Sequence, residues 1–116
     1  MKKYLVLSAI AIAALVFANC NSAKKTQAAE SPKTTYATHM TATINTYCTP
    51  CHIPAKGGNK KAYDNYANVK SDIDEIIRRI ELNPGDRGYM PFKKPKLADS
   101  TIAVFKKWKA DGMLEN

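Results

Sequence analysis

The sequence has few cysteines and no pattern that is typical of β-strands. Its 116 residues include only three cysteines, two histidines and one tryptophan. No stretch alternates polar and apolar residues convincingly enough to predict a β-strand, and no internal repeat is visible. Because three is an odd number of cysteines, a disulfide framework accounts for them only if one cysteine has another role.

The longest apolar run lies at the N-terminus and has the pattern of an export signal. A lysine-containing start is followed by the apolar run Leu5 to Phe17, then by Ala18, Asn19 and Cys20. The run is too short to span a membrane comfortably. A cysteine in this place resembles the lipobox of bacterial lipoproteins, although the residues before Cys20 depart from its commonest form. Residues 1–19 are therefore predicted to be a lipoprotein signal peptide and Cys20 the lipidated N-terminus; soluble export and an uncleaved anchor are the alternatives.

The segment after the signal reads as a flexible, lipid-anchored tether over residues 20–35. It is rich in Lys, Ala, Ser, Thr and Gln and lacks aliphatic periodicity. The domain that remains, residues 36–116, has about 80 residues, a size at which a disulfide, metal or cofactor often completes a marginal core. The prediction is an exported protein, lipid-anchored to a bacterial membrane, whose domain faces the periplasm.

Basic residues outnumber acidic ones by 18 to 10, which gives a formal net charge of +8. Positive charge alone permits many partners. The lysines are dispersed along the chain. They neither follow one face of a helix nor alternate with aromatic residues, as they do in many nucleic-acid-binding proteins, so no nucleic-acid partner is expected. An acidic protein partner or an anionic membrane surface is expected instead.

Apolar spacing predicts three to four short helices joined by long loops. Met40, Ile44 and Tyr47 share one face of a first helix. A short helix is predicted over residues 63–70, and Ser71 is predicted to begin the next one, which carries an isoleucine stripe.

The last helix is predicted to begin near Asp99 or Ser100 and to stop at Gly112. Before it, Pro84 to Pro95 is rich in glycine and proline and has no helical periodicity. The expected fold is all-α, and such long loops are natural if they wrap a central cofactor.

The most specific motif is Cys48-Thr49-Pro50-Cys51-His52, which has the spacing of covalent c-type haem attachment. In that chemistry the two thiols add across the haem vinyl groups, and the adjacent histidine is carried beneath the iron as its proximal ligand. If Cys20 is lipidated, the other two cysteines are both used, which resolves the odd count.

Two other chemistries could use the same residues. Cys48 and Cys51 also have the spacing of a thioredoxin-like thiol–disulfide oxidoreductase, although that fold needs βαβ units and a longer chain. Together with His52 and His39, the two cysteines could be drawn as four zinc ligands, although ligands adjacent in sequence strain a shared tetrahedron. Thiol–disulfide exchange and zinc binding therefore remain alternative hypotheses to haem attachment.

With the motif in view, residues from about Tyr36 to Leu114 resemble a monohaem class I c-type cytochrome, the class with histidine and methionine axial ligands. The resemblance rests on the attachment motif, on the loop Tyr89-Met90-Pro91, and on a final helix that carries Trp108. One departure is Ile53, which follows the motif where the family often has glycine.

The resemblance implies a cytochrome c-like fold wrapped around one covalent haem c. Cys48 and Cys51 would hold the haem, and His52 and Met90 would be the axial iron ligands, with His39 as an alternative sixth ligand. The implied function is a single-electron shuttle between periplasmic or membrane redox partners, not an enzyme. A haem enzyme or sensor with an open distal site is the alternative that uses the same cofactor.

Other side chains are predicted to surround the haem. The expected wall consists of Tyr47, Phe92, Phe105, Trp108 and the stripe Ile73 to Ile80. The lysines that follow the two ligand segments are Lys56, Lys60, Lys61, Lys93, Lys94 and Lys96. If both segments border the exposed haem edge, these lysines form a positive ring that steers an acidic partner.

Overall fold

The computed structural model describes residues 31–116, which contain three α-helices and no β-strand. The helices are α1 (Thr41–Tyr47), α2 (Tyr66–Glu81) and α3 (Asp99–Ala110). A π-helical turn, Tyr36–Met40, leads directly into α1, and a short 3-10 helix, Pro54–Lys56, lies in the loop that follows α1. The described chain is therefore all-α, as predicted. The signal peptide, Cys20 and most of the tether lie outside the described residues.

The two ends of the described chain pair with each other. The backbone N–H of Tyr36 donates to the carbonyl of Leu114 at 2.9 Å. Upstream, the N–H of the buried Thr34 donates to the carboxylate of Asp111 at 2.5 Å. These contacts begin at Thr34, ahead of Tyr36, the first residue of the predicted domain.

Apolar side chains from all three helices form one core beside the loops. Its helical members are Met40, Ile44, Val69, Ile73, Ile76, Ile80, Ile102, Phe105 and Trp108. On α2 and α3 these residues recur every three or four positions, so one face is buried and the opposite face carries charge. α3 packs against both α2 and the π-helical turn, which brings the two ends of the domain together.

One continuous helix, α2, stands where two helices were predicted. Its N-cap is Asn65, whose side chain accepts a hydrogen bond from the backbone N–H of Asn68 at 3.0 Å. Ser71 lies inside the helix, and its hydroxyl donates to the carbonyl of Asn68 at 2.9 Å. The prediction that Ser71 begins a helix is wrong, because its hydroxyl bonds to the preceding turn of the same helix.

The last helix, α3, begins at Asp99, close to its predicted start. Ala98 occupies the N-cap and makes no side-chain capping bond, so neither Asp99 nor Ser100 caps the helix. Asp99 still places a negative charge in the first turn, where it complements the helix dipole. Gly112, at φ +93°, takes the left-handed conformation just beyond the helix end, as predicted.

None of the helices within residues 31–116 is long and apolar enough to cross a membrane.

Candidate functional site

One cavity brings the cysteine–histidine motif and Met90 together. Its volume is about 620 Å³, which is ordinary for a site that holds a small molecule or cofactor. Its uncharged lining residues are Tyr47, Cys48, Thr49, Cys51, His52, Tyr63, Ile76, Ile80, Met90, Pro91, Phe92, Leu97 and Phe105. The walls are therefore mainly apolar, and they come from all three helices and from both long loops.

The motif begins where α1 ends. Cys48 is the C-cap of α1, and its backbone N–H donates to the carbonyl of Ile44 at 2.8 Å. The chain then turns, and the N–H of His52 donates to the carbonyl of Cys48 at 3.0 Å. Cys48 is partly buried and Cys51 is exposed, and both are free thiols. The short turn thus presents two thiols and an imidazole to one cavity.

His52 has a defined tautomer because of its hydrogen bond to Lys61. Its Nδ1 lies 2.7 Å from the backbone carbonyl oxygen of Lys61. A carbonyl oxygen can only accept, so Nδ1 carries the proton and neutral His52 keeps a lone pair on Nε2. A histidine that binds a metal through one nitrogen usually donates its other N–H in this manner.

The loop after the motif reaches His52 by folding back across it. The N–H of Lys60 donates to the carbonyl of Cys51 at 3.0 Å, and the N–H of Tyr63 donates to the carbonyl of His52 at 2.9 Å. Gly58 lies at the closest approach: a Cβ atom there would collide with the carbonyl oxygen of Pro50 and lie 2.6 Å from that of Cys51. Because glycine has no Cβ atom, Gly58 permits this contact.

Met90 reaches the cavity from the long loop between α2 and α3. Its backbone N–H donates to the carbonyl of Arg79 at 3.2 Å, which ties the loop to the end of α2. The side chain is partly buried and packs against the core. His39, by contrast, is exposed on the π-helical turn, where its Nδ1 accepts a hydrogen bond from the N–H of Thr35 at 3.1 Å. His39 is not among the residues that line the cavity.

The Cys48 thiol lies in an environment that disfavours its ionisation. Burial raises the pKa of Cys48 to about 11, and the nearby positive charge of Lys94 opposes this only in part. Cys48 also follows the C-terminal end of α1, where the helix dipole disfavours a negative charge. The thiol is therefore protonated at neutral pH, unlike the activated thiolate of a disulfide oxidoreductase.

The cavity wall carries more positive than negative charge. Its charged residues are Lys60, Lys61, Asp72, Glu75, Arg79 and Lys94. Both acids are ion-paired: Lys61 Nζ lies 2.6 Å from Asp72, and Arg79 Nε lies 2.6 Å from Glu75. Hydrogen bonds from Arg78 and then from Arg79 lower the pKa of Glu75 to about 2. With both carboxylates neutralised, the remaining lysines favour an anionic group or an acidic partner.

Thr49 contributes a hydroxyl whose hydrogen-bonding needs are not met. Its Oγ1 is buried and has no hydrogen-bond partner among the described residues. Buried hydroxyls in folded proteins are nearly always hydrogen-bonded. Because Thr49 lines the cavity, a polar group of a bound molecule would supply the missing partner.

Only some of the side chains predicted to wall the haem line the cavity. Trp108 does not line the cavity; it is buried beside Tyr36 and Tyr66, and its Nε1 donates to the carbonyl of Leu114 at 2.8 Å. Ile73 also packs elsewhere in the core, whereas Phe92 lines the cavity with 66% of its surface exposed. Regular helical spacing identified Trp108 and Ile73 as buried, but it did not determine which side of the core each one faces.

Only some of the lysines predicted to form a positive ring line the cavity. Lys60, Lys61 and Lys94 line the cavity, and the other three lysines do not. Among those three, Lys96 donates to the carbonyl of Glu81 at 2.9 Å, and Lys93 lies over the ring of Phe92.

The described residues therefore present two thiols, an imidazole and a thioether to one cavity. Among residues 31–116, no three His, Cys, Asp or Glu side chains are grouped so as to hold a metal ion, and the zinc set that includes His39 is not assembled. Comparison of the chain with protein-family models, with curated proteins and with solved structures found no match in any of the three.

Proposed function

We propose that this protein is a monohaem c-type cytochrome that carries single electrons. The observation that carries the proposal is the meeting of four side chains at one mainly apolar cavity: Cys48, Cys51, His52 and Met90. The methionine lies far along the chain from the other three, so their convergence is not a consequence of sequence proximity. These four side chains are the attachment and axial ligand set of the class I cytochromes c that the sequence resembles.

The residues around the cavity fit a haem in their chemistry. Cys48 and Cys51 would hold it through thioether bonds, and His52 and Met90 would be the axial ligands. The protonated Nδ1 of His52 leaves Nε2 available to the iron. The unsatisfied hydroxyl of Thr49 and the excess of positive charge suit the carboxylates that haem carries. When bound, the haem supplies an iron that exchanges one electron at a time.

The protein side chains would set the properties of that iron. A methionine thioether is a softer, weaker donor than a second imidazole, so it favours the reduced iron and raises the reduction potential. The apolar walls contributed by Ile76, Ile80, Leu97 and Phe105 limit water access and act in the same direction. These features support a carrier that delivers electrons at a positive potential.

The proposed setting is a membrane surface outside the bacterial cytoplasm. The export pattern and Cys20 support a lipid anchor, with the tether separating it from the haem domain. The proposed partners are redox proteins with an acidic docking surface, which suits the positive wall of the cavity.

Labelling of the full chain with a radioactive fatty acid tests the anchor, because Cys20→Ser removes the label if Cys20 is the lipidated residue.

Absorption spectroscopy of the full chain, produced with an active haem-maturation system, tests the proposal. The oxidised and dithionite-reduced spectra are expected to be of c type, and the pyridine haemochrome is expected to report one haem per chain. A colourless protein from cells that mature another cytochrome normally would contradict the proposal.

A thiol–disulfide oxidoreductase is the second candidate, favoured by the pair of free thiols at Cys48 and Cys51. It requires an ionisable attacking thiol, and the raised pKa of Cys48 opposes this. Insulin reduction assays separate the two functions, because only the oxidoreductase would turn over with dithiothreitol.

A further inference from the structure

Tyr63 lies face to face with His52 in the cavity wall. The two rings are stacked with their centroids 4.6 Å apart and their planes 12° apart. Tyr63 is only 8% exposed, so the surrounding protein holds its ring in place. Contacts of this kind are directional and favour one relative orientation of the two rings.

The far end of the Tyr63 ring is also fixed. Its hydroxyl donates to the carboxylate of Asp72, on α2. The ammonium group of Lys61 lies 2.6 Å from the same carboxylate. Lys61 is also the residue whose backbone carbonyl accepts a hydrogen bond from His52 Nδ1–H. The contacts thus form a closed circuit that runs from His52 through Lys61, Asp72 and Tyr63 and back to His52.

The two contacts to His52 restrict different movements of its ring. The hydrogen bond to Lys61 fixes the direction of the N–H group but leaves the ring free to tilt about that direction. The stacked face of Tyr63 opposes the tilt. Because Asp72 holds both Tyr63 and Lys61, one carboxylate on a rigid helix stabilises both restraints.

We infer that Tyr63, held by Asp72, is a positioning residue that sets the plane of the His52 imidazole. The inference rests on the proposed function, in which His52 binds the haem iron. Groups that orient a metal-binding histidine tune the electronic properties of the metal. The hydroxyl of Tyr63 donates to Asp72 and its ring stacks on His52, so Tyr63 acts on the orientation of the imidazole.

The test compares haem-loaded Tyr63→Leu, Tyr63→Phe and Asp72→Ala with the wild-type full chain. The leucine variant removes the stack, the phenylalanine variant keeps the ring without its hydroxyl, and the alanine variant removes the carboxylate. Asp74→Ala is the matched control, since it removes the same charge from an exposed position of α2 that pairs with Lys109. The readouts are the electron paramagnetic resonance of the oxidised form, the reduction potential, and hydrogen exchange of His52 Nδ1–H in the reduced form.

In Tyr63→Leu the Nδ1 proton is expected to exchange about two- to tenfold faster, the effect of losing one stacked pair. The g-value anisotropy in the electron paramagnetic resonance spectrum and the reduction potential are also expected to shift in this variant. Tyr63→Phe and Asp72→Ala should give smaller changes in the same direction, and Asp74→Ala should match the wild type. If Tyr63→Leu fails to fold, these two milder variants decide the outcome.

The inference would be overturned if all three variants carried a full complement of haem and kept the wild-type Nδ1–H exchange rate, electron paramagnetic resonance spectrum and reduction potential. The proposed function would then still stand. A wild-type chain that binds no haem would overturn both.

Discussion

The Nδ1 atom of His52 lies 2.7 Å from the backbone carbonyl oxygen of Lys61, on the far side of the loop that follows the cysteine motif. This contact makes a local sequence motif depend on tertiary structure. The motif supplies the imidazole, whereas the folded loop determines which nitrogen is protonated and how firmly the ring is held.

Replacement of Met90 tests the sixth ligand. In Met90→Ala we expect the haem to remain attached, because the cysteines are unchanged, while the weak far-red absorption band of methionine ligation disappears. The reduction potential should fall, since the thioether that favours reduced iron is lost. Both quantities are measured on the purified, matured protein by absorption spectroscopy and redox titration.

Met113→Ala is the matched control, because Met113 packs against the core but does not line the cavity. It should keep the far-red band. If the Met90 variant keeps the band and the potential of the wild type, another methionine binds the iron and Met90 is not the ligand.

Replacement of Gly58 tests the close approach of the loop to the motif. In Gly58→Ala the new Cβ atom meets two backbone carbonyl oxygens, which cannot move away as a flexible side chain would. We expect a loss of about 1–3 kcal/mol in the free energy of unfolding and a smaller fraction of chains carrying haem. Asn59→Ala, at the exposed neighbouring position, should change stability by less than about 0.5 kcal/mol. Equal stability of the two variants by urea denaturation would contradict this role for Gly58.

Replacement of Trp108 tests whether this residue belongs to the core and not to the cavity. Trp108 is fully buried, so Trp108→Ala is expected to lower the free energy of unfolding by about 3–5 kcal/mol. Trp108→Phe should cost less, although it leaves the carbonyl of Leu114 without its indole donor. In the folded phenylalanine variant the far-red band and the reduction potential should stay at wild-type values. A large shift in either would place Trp108 in contact with the haem after all.

The positive wall of the cavity predicts salt-dependent electron transfer. The rate of oxidation of the reduced protein by hexacyanoferrate, an anionic probe, should fall as salt is added, because screening weakens the attraction. The double variant Lys60→Ala and Lys94→Ala should react more slowly at low salt and depend less on salt. Lys109→Ala removes a lysine on α3 that is paired with Asp74, and it should behave as the wild type. A rate that does not respond to salt would contradict electrostatic steering.

The sequence predicted those features that depend on short-range patterns. Helical spacing around Ile44 and Phe105 predicted buried faces, and both residues are buried in the structure. The all-α class followed from the same spacing. Gly112 predicted the end of the last helix, because a left-handed residue terminates a helix wherever it occurs.

Features that depend on contacts between distant segments were missed. Tyr63 lines the cavity and stacks on His52, but nothing in its sequence neighbourhood distinguishes it from an ordinary aromatic core residue. Trp108 is predicted from the sequence to wall the haem, whereas it lies outside the cavity and its indole bonds to the C-terminal segment. Serine often caps the start of a helix, which is why the sequence predicts a helix start at Ser71. Inside a helix, however, a serine hydroxyl can bond to the preceding turn, and only the surrounding fold decides between the two.

The most direct test of the central claim is the intact mass of the matured protein under denaturing conditions. The wild-type chain should carry the added mass of one haem, which remains with the chain because both thioether bonds are covalent. The double variant Cys48→Ala and Cys51→Ala should lose that mass entirely, while Cys20→Ala should keep it. A wild-type chain without the haem mass, from cells that mature other c-type cytochromes, would contradict the account.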